Sequence, residues 1–245
     1  MTSPSEWKII GQLVNASNST LVVEIDQKRF VYKPISGERP LWDFPDGTLA
    51  LRERATYVLN QMLGWDLVPE TILSEGPYGV GSLQTWLTAE VEAADIFGPG
   101  QVPEDWLTIA SGMNEEGKPV TLAHADDQRL QQLALLDAVI NNADRKAGHI
   151  LTTDSGSHFG IDHGVTFSAE DKLRTVLWGW IDKEIPAQWL NDLDALQEQI
   201  AGSELIELLD SAEISALTRR IEALLMTAKF PAPSPQWPAV PWPVF

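Results

Sequence analysis

The sequence predicts an α+β chain of two unequal lobes, a β-rich lobe with one main helix followed by a mainly helical lobe, sharing a cleft. Three features predict it. Short β-branched runs separated by turn residues fill residues 1–88 and enclose one stretch of helical periodicity. From residue 89 the helical period takes over. Between two later helices lies INNADRKAGHILTTDSGSHFGIDHG, Ile140 to Gly164, which places three of the chain's four histidines beside Asp144 and Asp162.

Each element follows in order. EWKIIGQLVNASNSTLVVEID and KRFVYKPI read as two or three strands with Asn/Ser and Asp-Gln-Lys turns. LALRERATYVLNQMLG is a helix: Leu51, Ala55, Val58, Leu59 and Met62 recur at helical spacing, and Gly64 suits its C-terminal end. VPETILSEGPYGVGSLQTWL reads as two strands around a Gly/Pro turn, completing a lobe over 1–88. In the second lobe, 89–230, DDQRLQQLALLDAVINN carries Leu130, Leu133, Leu136, Val139 and Ile140 along one helical face. HILTT and SHFGIDHG then form a short hairpin around Asp154-Ser155-Gly156. AQWLNDLDALQEQI, ELIELLD and AEISALTRRIEALLMTA are further helices. The Pro-rich tail, 231–245, either hangs free or straps onto the body, and its aromatic content favours the strap.

Composition narrows the function. A chain of 245 residues with ten tryptophans and 44% hydrophobic content can bury a proper core. The absence of cysteine excludes disulfides and thiolate metal sites. A net charge of −18 opposes nucleic acids and anionic lipid surfaces as partners. MTSPSEWKII lacks the basic and apolar regions of a secretory signal, and no apolar run reaches the roughly 20 residues of a membrane span. The expectation is a cytoplasmic protein with no integral membrane association; oligomeric state is not legible.

A small β lobe, then a helical lobe with an Asp-centred hairpin, is the order of a two-lobed kinase. Phosphoryl transfer needs positioned nucleotide, metal and acceptor more than covalent chemistry. A strand lysine on the phosphates, oriented by a helix carboxylate, is met by Lys33 in FVYKP and Glu53 in LRERA. Such a pair standing alone is most often two solvated surface charges. The phosphate-covering loop falls on NASNST, where Ser17, Asn18, Ser19 and Thr20 would serve without glycine. Asn/Ser turns are also ordinary hairpin loops. Asp144 suits the catalytic-loop aspartate that receives the acceptor's proton. His149, five residues on, falls where a metal ligand belongs, and Asp162 after the hairpin is the second metal-binding residue. The competing structural reading is an Asp144–Arg145 ion pair and a turn aspartate.

NNADRKAGHILTTDSGSHFGIDHGVTF resembles the Asp-Arg-x-x-Gly-Asn … Ile-Asp-x-Gly signature of phosphatidylinositol 3-/4-kinase-like enzymes. It is nearest the type II lipid kinases and their plant protein-kinase relatives; the HipA-type toxin kinases are more distant. VYKPISGERPLWDFPDGTLALRE, DKLRTVLWGW and the terminal PWPVF further resemble an actinobacterial family described only as lipid-kinase-like. The resemblance implies a protein-kinase-like (PI3/PI4-kinase-like) fold with ATP and Mg²⁺ or Mn²⁺ as cofactors. It implies Lys33 on the nucleotide phosphates, Glu53 orienting Lys33, Asp144 as catalytic aspartate with Arg145 supporting its loop, and Asp162 on the metal. Gln84, Thr85, Trp86 and Leu87 fall at the inter-lobe hinge that contacts adenine. The departure is His149 where this design has Asn; imidazole favours Mn²⁺ or Zn²⁺ over Mg²⁺. A packed, hydrogen-bonded histidine is the plainer reading of His163, and an equal one for His149.

The loop holding Asp43, Asp46 and, at its end, Arg52 either caps the nucleotide or receives substrate, or is a structural loop packed by Trp42 and Phe44. Lys172 and Arg174 form a basic pair near the site, read first as ordinary surface charges and second as a phosphate-binding pair; Trp178 and Trp180 read as core. No Gly-x-Ser-x-Gly elbow and no Gly-rich loop ending in Gly-Lys-Thr is present. The reading is therefore an ATP-dependent phosphotransferase acting on an unidentified hydroxyl, protein or metabolite as readily as lipid. The alternatives are a pseudokinase that binds nucleotide or scaffolds without turnover, and a metal hydrolase in which His149, His158 and His163 meet Asp162.

Overall fold

The computed structural model describes residues 7–13, 18–89 and 93–245. The first lobe is an antiparallel sheet of β1 (Lys8–Gln12), β2 (Leu21–Ile25), β3 (Lys28–Pro34), β4 (Thr71–Gly76) and β5 (Gly79–Thr85), ordered β1-β2-β3-β5-β4. Register assigns the two faces. Tyr32 opposes both Leu21 and Leu83, and with Val23 these make a small apolar cluster. One residue on, Lys33 opposes Ser82, and Val31 opposes Gln84, so the lysine takes the other face with Ser82 and Gln84.

The helix α1 (Leu49–Leu63) ends as its sequence predicts, with Gly64 left-handed at φ 67°. Its start is less local. Thr48 makes no side-chain cap; instead the Glu38 carboxylate accepts from the N–H groups of Leu49 (3.2 Å) and Ala50 (2.8 Å). A residue from the preceding loop thus supplies the anion that the free amides and helix dipole favour.

The second lobe opens with a sheet that the helical reading of 89–230 did not name. It comprises β6 (Ala94–Phe97), β7 (Trp106–Met113) and β8 (Pro119–Ala125), in the order β6-β8-β7. Next comes α2 (Gln128–Ile140), capped by Asp127, whose side chain accepts from the N–H groups of Arg129 and Leu130. The expected apolar stripe is there, but Ala134, Leu135, Asp137 and Ala138 are buried too, so α2 is an interior helix rather than an amphipathic one. The expected hairpin is β9 (Ile150–Thr152) against β10 (His158–Gly160). Helices α3 (Ala187–Ile200), α4 (Leu205–Leu208) and α5 (Ser211–Thr227) follow, α5 opened by a capping box between Asp210 and Glu213.

The tail is strapped down. Val244 is buried and its carbonyl accepts from Ala147 N–H at 2.8 Å; Ala239 C=O accepts from Thr175 N–H and Trp178 Nε1–H. Trp178 and Trp180 are core residues, as expected. Among the described residues no helix is long and apolar enough to cross a membrane.

Candidate active site

Lys33, at the end of β3, reaches across the cleft. Its Nζ lies 2.5 Å from Glu53 Oε1 on α1 and 2.8 Å from Asp162 Oδ1 on the second lobe. Burial acts to lower the lysine's pKa, but Asp162 and Glu53 outweigh it and raise it above the ordinary value. Withdrawal from water acts to raise Asp162; the Lys33 ammonium, and His149 after it, hold that carboxyl far below the usual range. Half of the Asp162 side chain, 50%, remains open to the cleft, and the Lys33 ammonium 2.8 Å away keeps it ionised. Its backbone is left-handed at φ 58°, an uncommon state for a non-glycine residue and one that occurs at functional turns.

His149 faces the other oxygen. Its Nδ1 lies 2.9 Å from the Asp144 carbonyl, which can only accept, so Nδ1 carries the proton. Nε2 then points its lone pair at Asp162 Oδ2, 3.3 Å away. Burial pushes the imidazole pKa below 6.5, against the pull of Asp162, so the neutral ring prevails at pH 7. Two acceptors in apposition call for a cation between them, and an imidazole nitrogen with a carboxylate oxygen is a donor set that suits Mn²⁺ better than Mg²⁺. Among the described residues no group of three His, Asp or Glu side chains stands together as a metal cluster. A two-ligand site is the pattern in which substrate phosphates and water complete the shell.

Asp144 N–H donates to Asn142 Oδ1 at 3.0 Å, fixing the loop, while its carboxylate has Lys146 Nζ at 3.5 Å. Burial raises its pKa, partly countered by Lys146, His149 and Arg174. Arg145 does not pair with Asp144. It is fully buried and bound to Asp137 of α2, with Nε 3.0 Å from Oδ2 and Nη2 2.9 Å from Oδ1. Its Nη1 donates to the carbonyls of His149 (3.1 Å) and Ile161 (2.8 Å), and Nη2 also to His163 Nε2 (2.7 Å). Arg145 therefore holds together the segments carrying Asp144, His149 and Asp162; it is a positioning residue.

The cleft at Lys33 is narrow, about 60 Å³, and is lined by Asn18, Thr20, Glu38, Glu53, Asp162 and Gly164, among others. Asn18 Oδ1 accepts from Arg39 N–H and Ser19 N–H donates to Gly37 C=O, so this loop is tied to the chain after β3. Ser17 lies outside the described residues. Gln84 is buried, its Nε2 donating to Thr71 Oγ1, and Trp86 N–H is taken by Arg29 C=O; Thr85 and Leu87 are half-buried. His158 stands apart from His149: it meets Thr152 Oγ1 at 2.9 Å and Asp127 at 3.6 Å. Among the described residues, then, the histidines do not form the hydrolase cluster.

Lys172 corrects its reading as a surface charge. It is buried, 3.0 Å from Asp43 Oδ2, with the rings of Trp42, Phe44 and Trp237 at 5.1–5.4 Å from Nζ. Phe44 also packs with Leu49 and Ala143, so the loop before α1 is clasped to the second lobe beside the Asp144 loop. Arg174 Nε donates to Ala143 C=O at 2.6 Å. Reasoning from spacing missed Asp137, Lys146 and Glu38. A lone carboxylate within the apolar run LLDAVI and the Asp-x-Lys step were the available signals for the first two.

Burial pushes all four histidines below 6.5, His163 furthest and with no partner on Nδ1. The unfolded chain binds more protons below that value, so stability falls as pH drops through 6.5. The loss is about 1.4 kcal/mol per pH unit for each histidine still neutral when folded. Asp144, raised from 3.8, works in the opposite sense at lower pH. Thermal melts are expected to show a lower Tm at pH 5.5 than at 7.5; a level or rising Tm would contradict this burial.

The chain has a two-lobed kinase-like fold. It overlays the Golgi casein kinase with a TM-score of 0.53 at 14% identity, over 92% of this chain and 73% of that one. It overlays the Helicobacter pylori proinflammatory kinase CtkA with a TM-score of 0.50 at 9% identity, over 92% and 93%. No protein-family model matches the chain. It belongs to the family of Protein Rv2133c of Mycobacterium tuberculosis, to which it is 43% identical over 258 aligned positions, covering 98% of this chain and 92% of that protein.

Proposed function

We propose that the chain is an ATP-dependent phosphotransferase of the phosphatidylinositol 3-/4-kinase-like superfamily, passing the γ-phosphoryl group to a hydroxyl acceptor. One observation carries the reading: Lys33 links Glu53 and Asp162 across the cleft, with His149 and Asp144 joined on its far side. A lysine held by two carboxylates is oriented and certain to be charged, as a phosphate-binding cation must be. Asn18, Ser19 and Thr20 cover the phosphates, and the strand end at Gln84 to Leu87 receives the adenine.

The acceptor oxygen attacks the γ-phosphorus, the bond to the β,γ-bridging oxygen breaks, and ADP leaves. The hydroxyl proton passes to Asp144, whose raised pKa suits it to accept one. Lys146, beside that carboxylate, meets the charge on the transferred group. Asp162 and His149 would hold Mg²⁺ or Mn²⁺, which when bound neutralises phosphate charge. The chain's charge of −18 favours a protein or small-molecule acceptor over an anionic membrane surface.

The test is a thermal-shift titration with ATP, alone and with Mg²⁺ or Mn²⁺, beside Lys33→Ala and Asp162→Ala. A metal-dependent rise in Tm that both substitutions abolish supports the site, and no shift for the wild type ends the reading. ATP binding without turnover under any metal makes the chain a pseudokinase. His149→Asn adds a prediction: replacing imidazole by an amide oxygen moves the preferred ion from Mn²⁺ toward Mg²⁺, by roughly tenfold in apparent affinity. An unchanged preference would take His149 off the metal.

A further inference from the structure

The helix α1 carries Glu53, yet its apolar face belongs to the second lobe. Ala55, Leu59 and Leu63 share a core cluster with Leu133 of α2, Leu193 of α3 and Leu217 of α5. The first sheet keeps a cluster of its own, Leu21, Val23, Tyr32 and Leu83. Polar side chains fasten the helix to the same body. Arg54 Nε and Nη2 donate to the two oxygens of Glu204, just before α4, at 2.9 and 2.7 Å. Trp65 Nε1, just beyond the end of α1, donates to Asp192 of α3 at 2.8 Å. Arg52 is the most buried of these anchors. Its Nη2 donates to Glu213 Oε1 on α5 and its Nη1 to the Thr166 carbonyl at 2.5 Å, with the Phe44 ring 4.9 Å from the guanidinium.

Both of those partners matter to the cleft. Thr166 closes the turn that starts at Asp162: its Oγ1 donates to the His163 carbonyl at 2.8 Å and lies 3.5 Å from Thr56 Oγ1 of α1. Arg52 is the residue before Glu53. One guanidinium therefore ties the backbone next to Glu53 to the turn that carries Asp162, and Lys33 Nζ sits between those two carboxylates. Glu213 is fixed in its turn, its other oxygen accepting from Asp210 N–H at 2.9 Å in the capping box of α5. A planar fork with donors on two segments sets angle as well as distance, and burial removes water as a competitor.

In protein kinases the pairing of the strand lysine with its helix carboxylate is a point of control, commonly set by a phosphorylated loop whose phosphate pairs with arginine. Here Glu213 gives Arg52 a permanent anion. We infer that Arg52 is a positioning residue that sets Glu53 against Asp162, so that Lys33 is oriented without phosphorylation of the chain and without a partner protein. The inference rests on the phosphotransferase reading for the use made of Lys33, while the alignment itself is measured with no nucleotide present.

The test reads Lys33 directly. The full chain, treated with phosphatase and free of nucleotide and metal, is acylated with an amine-reactive ester at about pH 8, and mass spectrometry follows Lys33 against the exposed Lys28. An ammonium clamped between two carboxylates is a poor nucleophile, so Lys33 should react far more slowly than Lys28 in the wild type. Arg52→Gln is expected to speed acylation of Lys33 about tenfold or more. Because stranding Glu213 endangers folding, Arg52→Lys provides the second arm: it keeps a cation for Glu213 but loses the fork that also serves the Thr166 carbonyl, and should give a similar acceleration. Arg54→Gln loosens the same helix without touching the Asp162 turn and should leave the rate within about twofold. Wherever the wild type binds ATP, Arg52→Lys should bind it about tenfold more weakly. Lys33 as reactive as Lys28 in the dephosphorylated wild type, an unchanged rate in the Arg52 variants, or an equal rise in Arg54→Gln overturns the inference. Acceleration in the Arg52 variants of a chain that binds no ATP would uphold the alignment and end the phosphotransferase reading alone.

Discussion

Asp144→Asn is expected to lower phosphoryl transfer by about 10²–10⁴-fold while the nucleotide still raises Tm as it does in the wild type. The amide keeps the shape of the side chain and can still hydrogen-bond the acceptor, but it cannot take the proton. The loop should survive the change, because its anchor is the Asp144 N–H bond to Asn142 and the Arg145 network, neither of which uses the Asp144 carboxylate. Removing Lys33 or Asp162 should instead abolish the nucleotide shift, so the variants separate chemistry from binding. The pH profile supplies a second check. Burial raises the Asp144 carboxyl above 3.8, so the acid limb of kcat/KM should lie above that value and disappear in Asp144→Asn. Turnover within a few-fold of wild type would remove Asp144 from the proton path.

What could be read from the sequence and what could not divide along physical lines. The first lobe was legible because strand alternation and the 3.6-residue period are local, and the Lys33–Glu53–Asp162 set because fixed offsets from a strand end, a helix and a hairpin leave few alternatives. The sheet of β6 to β8 was not: β7 is largely exposed, so WLTIASGM carries no clean alternation of apolar and polar residues. Glu38 capping α1 was hidden because the loop lies between them, whereas capping signals are sought within a few residues of a helix start. Lys172 looked like a surface lysine since its three rings and its aspartate come from segments 40–44 and 237, distant in sequence. The histidines were grouped by proximity along the chain, yet the β9–β10 hairpin carries His158 to its own partners, Thr152 and Asp127. The tail was legible in outline, its aromatic residues signalling attachment but not that Val244 would brace Ala147 in the Asp144 loop.

The largest expected effect on stability belongs to Arg145→Met. Arg145 and Asp137 are both 0% exposed, and Asp137 also accepts from Asn142 Nδ2 at 2.9 Å and Thr175 Oγ1 at 3.2 Å. Truncating one member of such a pair strands a buried charge and costs about 3–5 kcal/mol, a large share of the roughly 5–15 kcal/mol that holds a domain folded. Here it also strips donors from the carbonyls of His149 and Ile161. Asp137→Leu should be similarly damaging, since it leaves the guanidinium unpaired. The double variant Asp137→Leu/Arg145→Met should recover much of the loss, because an apolar pair removes both desolvation penalties at once. Denaturant unfolding of the four proteins reads the coupling directly, and additive losses would mean the ion pair is not what Arg145 contributes. The recovered double variant should nevertheless remain inactive. It would hold no stranded charge, but nothing would fix the segments that carry Asp144, His149 and Asp162 against one another. Stability restored without turnover would thus separate the arginine's part in folding from its part in aligning the site.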